Sequence, residues 1–203
     1  MKKVFLLFTL LFVLVSFTSA SAIDRTGKFA LGGCLGYSFG FGDVFKEQEF
    51  GYHDPTLGFI GYKFENKVTF SFGGKVKYGL NPNLALMGAF HYQAGSAEVK
   101  ATAGGYSASA SEGYHWTGIL ANVLYTLSPE KKTCPYLTGG GGLYIPEEGD
   151  GKPGINVGGG VEHFFQDNLA LDAGARFHMI FTEGESTTYV NVYAGLNFYL
   201  GIK

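Results

Sequence analysis

Apolar and polar residues alternate with a period of two along most of this chain. From Thr188 to Lys203, Val190, Val192, Ala194, Leu196, Phe198 and Leu200 are apolar, and Asn191, Tyr193, Gly195, Asn197 and Tyr199 stand between them. A strand turns successive side chains to opposite faces, so the stretch predicts a strand with one greasy face and one small or polar face. Seven further segments follow the same rule: Lys28 to Phe41, Val68 to Leu80, Leu84 to Gln93, Tyr114 to Leu127, Pro135 to Ile145, Ile155 to Phe165 and Leu169 to Phe181. Pro135 to Ile145 carries Gly139-Gly140-Gly141-Gly142, and its facing is the least defined.

The connections alternate in length. Asn81–Asn83, Ser128–Thr133 and Gln166–Asn168 are short, whereas Gly42–Lys67, Gly95–Gly113, Pro146–Gly154 and Thr182–Thr187 are longer. An even number of strands, with short turns on one rim and long loops on the other, predicts an all-β fold: an eight-stranded antiparallel up-and-down barrel. The greasy faces have two uses in such a barrel. In a secreted lipocalin-like barrel they point inward around a ligand; in a membrane barrel they point outward into lipid. Charge placement favours the second. Lys75, Lys77, Glu162, Asp172, Arg176 and His178 all lie opposite the large apolar residues, on faces made mostly of Gly, Ala, Ser and Asn. Only 16% of the chain is charged, too little for those faces to form a solvated exterior. The prediction is a transmembrane β-barrel with both termini and the short turns on the periplasmic rim, and with aromatics gathered near strand ends.

Composition sharpens this picture. Gly is 32 of 203 residues and aromatics are 16%, as closely packed curved strands require. The net charge of −2 argues against a nucleic-acid partner. Residues 1–22 differ from the rest: Lys2 and Lys3 precede an apolar run from Val4 to Phe17 and a small-residue stretch from Thr18 to Ala22. This reads as a secretory signal peptide cleaved after Ala22, leaving one barrel domain over residues 23–203. Cys34 and Cys134 match no metal spacing and are expected as two unpaired thiols.

Four stretches carry a resemblance. Lys77-Tyr78-Gly79-Leu80-Asn81-Pro82-Asn83-Leu84-Ala85-Leu86, Asn122-Val123-Leu124-Tyr125, Pro135 to Gly142, and Gln166-Asp167-Asn168-Leu169-Ala170-Leu171 are similar to the bacterial outer membrane protein β-barrel domain family, which holds the small OmpA- and OmpX-like barrels. The resemblance implies an outer-membrane location and this fold; its motifs are diffuse and name no activity. The chain ends Leu200-Gly201-Ile202-Lys203, without the terminal aromatic that many members carry.

Candidate chemistry follows from the faces. Counted from the short turns, Lys75, Lys77, Glu162 and Asp172 fall at similar heights in a lumen that eight strands leave just wide enough for side chains. Buried charges pair, so these residues, with Arg176 and His178 above them, are expected to form a charge network that plugs the lumen. The long first loop carries Phe45, Phe50, Tyr52, Phe59 and Tyr62, which are either a binding surface or a strand extension packing on itself. The loop Gly95–Gly113 of Ala, Ser, Gly and Thr is expected to be mobile. Catalysis would need a triad; His178 with Glu183, Glu185 and Ser186, or His115 with Ser111 and Glu112, are the candidates, and no His-x-Ser spacing supports them. Glu147, Glu148 and Asp150 match no Ca²⁺ loop. The sequence thus predicts a monomer without catalytic residues, cofactor or metal, set among outer-membrane lipid and lipopolysaccharide. Its role is structural or surface interaction with an extracellular ligand, and the alternative is a narrow, gated porin-like channel.

Overall fold

The computed structural model describes residues 24–41, 48–54, 58–103, 106–182, 184 and 186–201, without the side chains of residues 58, 59, 67 and 68. The signal peptide read at 1–22 and the candidate Phe45 lie outside the described residues, as does the side chain of Phe59. The described residues form nine strands: β1 (Phe29–Phe41), β2 (Gln48–Asp54), β3 (Gly58–Gly79), β4 (Leu84–Ala103), β5 (Tyr106–Thr126), β6 (Thr133–Pro146), β7 (Lys152–Gln166), β8 (Leu169–Phe181) and β9 (Ser186–Leu200). All ladders are antiparallel, in the order β1-β9-β8-β7-β6-β5-β4-β3-β2, and β1 also pairs with β3. That last ladder closes a ring of eight staves. β2 stands outside the ring, paired to the far half of β3.

The registers fix the barrel's shape. From Leu31 the pairing runs through Val76, Gly88, Ala121, Gly141, Ile155, Met179 and Thr188 and returns to β1 at Phe41, ten residues further along. With strands ~4.8 Å apart and ~3.3 Å per residue, that stagger gives a tilt of about 40° and a backbone radius of about 8 Å. Such a lumen fills with side chains.

Alternation decides which side chains those are. Leu35, Phe39, Phe72, Ile119, Val157, Leu196 and Phe198 point outward and are exposed, while Met87, Asn122, Tyr136, Asn156, Tyr193 and Asn197 point inward and are buried. The glycine-rich β6 follows suit, with Leu137, Leu143 and Ile145 outward and Tyr136, Thr138 and Tyr144 inward. Inward glycines let neighbouring backbones close up: a Cβ on Gly142 would land on the Ile119 carbonyl oxygen of β5. On β4 the outward set changes from Leu84, Leu86, Phe90 and Tyr92 to Ser96, Glu98, Lys100 and Thr102. The greasy part is about nine residues long, which is the reach a tilted strand needs to cross hydrocarbon.

The short turns are built locally. Asn81 Oδ1 accepts hydrogen bonds from the backbone N–H groups of Asn83 and Leu84 at 2.9 and 2.8 Å, folding Asn81-Pro82-Asn83 back on itself. The N-terminal segment returns to this rim. Gly27, at φ +69°, makes a turn that side-chain-bearing residues rarely adopt, and its N–H donates to the Gly79 carbonyl at 2.8 Å. This turn folds Arg25 back into the barrel's mouth.

The upper rim differs from the sequence reading. Gly42–Lys67 is not a loop throughout: β2 and the first half of β3 form a hairpin within it, so Phe50, Tyr52, Phe59 and Tyr62 lie on strands. The second segment, predicted from Val68, begins at Gly58, and the fourth, predicted from Tyr114, begins at Tyr106. Nor are residues 95–103 and 106–113 a loop: they are strand, because the β4–β5 ladder runs unbroken from Leu84↔Tyr125 to Ala103↔Tyr106. Small residues carry no hydrophobic signal, but their backbones continue the pairing that the lower half of the hairpin sets.

Candidate functional site

Four storeys of side chains fill the lumen, ordered in height by strand register. Arg25 closes the lowest. It is buried, donates from Nη1 to Thr126 Oγ1 (3.2 Å) and from Nη2 to Cys134 Sγ (2.7 Å), and lies 4.9 Å from the centre of the Phe164 ring. Beside it, Asp24 accepts from the Thr26 backbone N–H at 2.9 Å, which holds its carboxyl below the usual value. The remaining cavity between Arg25, Lys77, Glu162 and Tyr199 has a volume of about 20 Å³, room for one water. Both cysteines are free thiols.

The second storey holds the ion pairs. Lys75 Nζ bonds Asp172 Oδ2; Lys77 Nζ lies 3.1 Å from Glu162 Oε1 and 3.5 Å from Asp172 Oδ2. Asp172 is fully buried and Glu162 nearly so. Neutral donors occupy the other lone pairs: Tyr136 Oη donates to Asp172 Oδ1 (2.6 Å), Tyr199 Oη to Glu162 Oε2 (2.7 Å), and Asn197 Nδ2 reaches both carboxylates. Four of the six charge-network candidates therefore meet. Arg176 and His178 lie higher and do not join the pairs. Sequence reasoning missed Arg25, Tyr136, Asn197 and Tyr199. Asn197 and Tyr199 were legible as inward positions of their strand; Tyr136 was not, because the glycines of β6 leave its facing undefined, nor was Arg25, which precedes the first alternating segment.

The third storey is made of Arg176, Asn122, Asn156 and His91, all buried. Above them the rings of His91, His178 and Tyr189 stack at centroid distances of 5.2 and 4.6 Å, and Tyr144 Oη lies 2.8 Å from His178 Nδ1. Trp116, Leu120 and Ile180 complete this apolar cap. His178 is thus walled in by rings. Its candidate triad partners Glu183 and Glu185 lie outside the described residues, and His115 instead pairs with Glu147 at 3.0 Å. Among the described residues no three His, Cys, Asp or Glu side chains converge as metal ligands.

Above the barrel, β2 to β5 continue as a four-stranded sheet whose faces are inverted relative to the barrel wall. One face carries the paired rows Tyr52, Ile60, Ala103, Tyr106; Phe50, Tyr62, Ala101, Ala108; and Phe64, Val99, Ala110. On β4 and β5 this face continues the lumen-facing positions. Yet Phe50 is 60% and Tyr106 85% exposed. The opposite face, continuing the greasy outer wall, carries Glu49, Lys63 and Lys100 in one row and Glu65 beside Glu98 in another. The β3–β4 register shift between Val68 and Ser71 makes the inversion possible, with Gln93 Nε2 donating to the Phe70 carbonyl at 3.0 Å beside it.

This geometry has known counterparts. The outer membrane protein beta-barrel domain model matches residues 8–199. Neisserial surface protein A, solved by crystallography, is 16% identical with a TM-score of 0.58 over 84% of this chain and 96% of that one. The outer membrane protein OprG from Pseudomonas aeruginosa is 10% identical with a TM-score of 0.54 over 89% and 99%. At such identities the likeness is one of fold. No curated protein matches the sequence.

Proposed function

Because the chain belongs to the outer membrane protein beta-barrel domain family, and so resides in the outer membrane, we propose that it is a surface-interaction protein with a closed lumen. The barrel is its anchor, and the β2–β5 sheet is its binding element, projecting from the extracellular rim. The observation that carries this reading is the sheet's exposed aromatic face, Phe50, Tyr52, Tyr62, Phe64 and Tyr106. Large exposed apolar faces mark interaction sites, and this one lies beyond the belt of outward residues that lipid covers. The charge network of Lys75, Lys77, Glu162 and Asp172 closes the lumen beneath it, Arg25 stops the lower mouth, and the ring stack stops the upper. The protein works as a monomer among lipid and lipopolysaccharide, without catalysis. Residues 1–22 are its export signal, and intact-mass analysis of the mature protein should find Ile23 as the first residue.

The binding face is tested by the adherence of expressing cells to hexadecane droplets. Cells carrying the wild-type chain should adhere several-fold more than cells without it. The combined substitution Phe50→Ser, Tyr52→Ser, Tyr62→Ser and Phe64→Ser should abolish that difference at equal protein level in the outer membrane. Equal adherence of the two chains would overturn the reading.

A further inference from the structure

The buried charged side chains of the described residues do not balance. Four are cations, Arg25, Lys75, Lys77 and Arg176, and two are carboxylates, Glu162 and Asp172. Lys75 and Lys77 are matched by the two carboxylates. Arg25 lies at the lower mouth on its thiol and hydroxyl partners. Arg176 is the surplus charge inside the membrane-spanning lumen. Its guanidinium lies 5.5 Å from the centre of the Tyr193 ring, and its Nε has no hydrogen-bond partner. A ring face offsets the cost of a buried, unpaired cation only in part.

The groups around Arg176 are also unspent. Both side-chain polar atoms of Asn122, both of Asn156, and Nε2 of His91 lack hydrogen-bond partners. Their exposures are 4%, 4% and 6%, and that of Arg176 is 8%. Paired rows climb the tilted wall by about 3 Å per strand, so Asn156 lies about 6 Å above Asn122, and Arg176 falls in height between them. Asn122, Gly140, Asn156 and His178 form one paired row; Gly158 faces Arg176 in the adjacent inward row, so Asn156 and Arg176 are diagonal neighbours. His91 joins from β4, its ring stacked on that of His178, two residues along β8 from Arg176. In a lumen of about 8 Å backbone radius, inward side chains at one height meet near the axis.

We infer that this layer binds one small monovalent inorganic anion, such as chloride, between the ion-pair storey and the ring cap. Arg176 Nε, Asn122 Nδ2 and Asn156 Nδ2 donate to it, as does His91 Nε2 when that nitrogen carries the ring proton. An anion supplies the acceptor these donors share and cancels the surplus charge. Water would satisfy the amide dipoles and leave the charge; a metal cation would add to it. The site is independent of the surface reading. Because the cap covers it, the anion enters as the barrel closes.

The test refolds the mature protein into detergent micelles in sodium chloride or in sodium gluconate at equal ionic strength. The thermal midpoint should be higher in chloride by roughly 5 °C, the shift a site held near saturation gives a chain of this size. Arg176→Gln should lose the difference. Equal midpoints in the two salts, or a chloride effect of the same size in Arg176→Gln, would overturn the site. If that variant does not refold, crystals of wild-type protein refolded in bromide decide the matter. An anomalous peak within hydrogen-bond distance of Arg176 supports the site, and an absence of anomalous signal there refutes it.

Discussion

Asp172 shows at the scale of one residue how the lumen is held. Its carboxylate takes Lys75 and Lys77 on one oxygen and Tyr136 on the other, with no exposed surface. Removing one partner of a buried pair leaves the other's desolvation uncompensated, typically a loss of about 3–5 kcal/mol. Asp172→Ala should therefore lower the unfolding free energy in micelles by about that amount, as read by urea titration. Replacing the pair together, Lys75→Met with Asp172→Leu, should restore most of the loss, since apolar groups of similar volume substitute for a buried ion pair at little cost. Side-chain type and parity were enough to find four members of the network, because a period of two leaves an inward charge nowhere else to go. They could not find Arg25, whose position depends on the turn at Gly27. The count from the short turns also placed Arg176 and His178 above the pairs, where the structure has them, but it gave no sign that they stand apart from the network.

At the scale of elements, the long hairpin of β4 and β5 has two halves with different supports. The lower half is flanked by β3 and β6; the upper half is paired to β3, while its ladder with β6 ends at Trp116↔Pro146 and contact on that side continues only to His115 and Glu147 among the described residues. Replacing residues 96–112 with a short turn should leave the barrel intact. The truncated chain should keep heat-modifiable mobility on gels and its strand signal by circular dichroism, and lose hexadecane adherence with the sheet. The lower strands were legible because large apolar residues mark their alternation. The upper strands were not, for two physical reasons. Ala, Ser and Thr in the β4–β5 extension give no amplitude to the pattern. On β3, Phe64 and Phe70 share the same parity, yet the register shift between Val68 and Ser71 sends them to opposite faces. A bulge is invisible to a count of two.

The storeys act together at the scale of the molecule. Arg25 and Phe164 lie below, the ion pairs in the middle, and Trp116, Tyr144 and Tyr189 above, and with three such layers no single substitution should open a continuous path. The refolded wild-type protein should be silent in a planar bilayer over a wide voltage range. Asp172→Ala should remain silent as well, because the ring cap and Arg25 are untouched; steady unit steps from either protein would favour the narrow-pore alternative.

The ladder between β1 and β9, which joins Phe29 to Leu200, gives this architecture an assembly order. Every pairing within β2–β5 joins strands adjacent in sequence, whereas closing the ring brings together ends separated by nearly all of the described residues, the costlier loop to close. The last ladder to form should then be that of the C-terminal strand against the first.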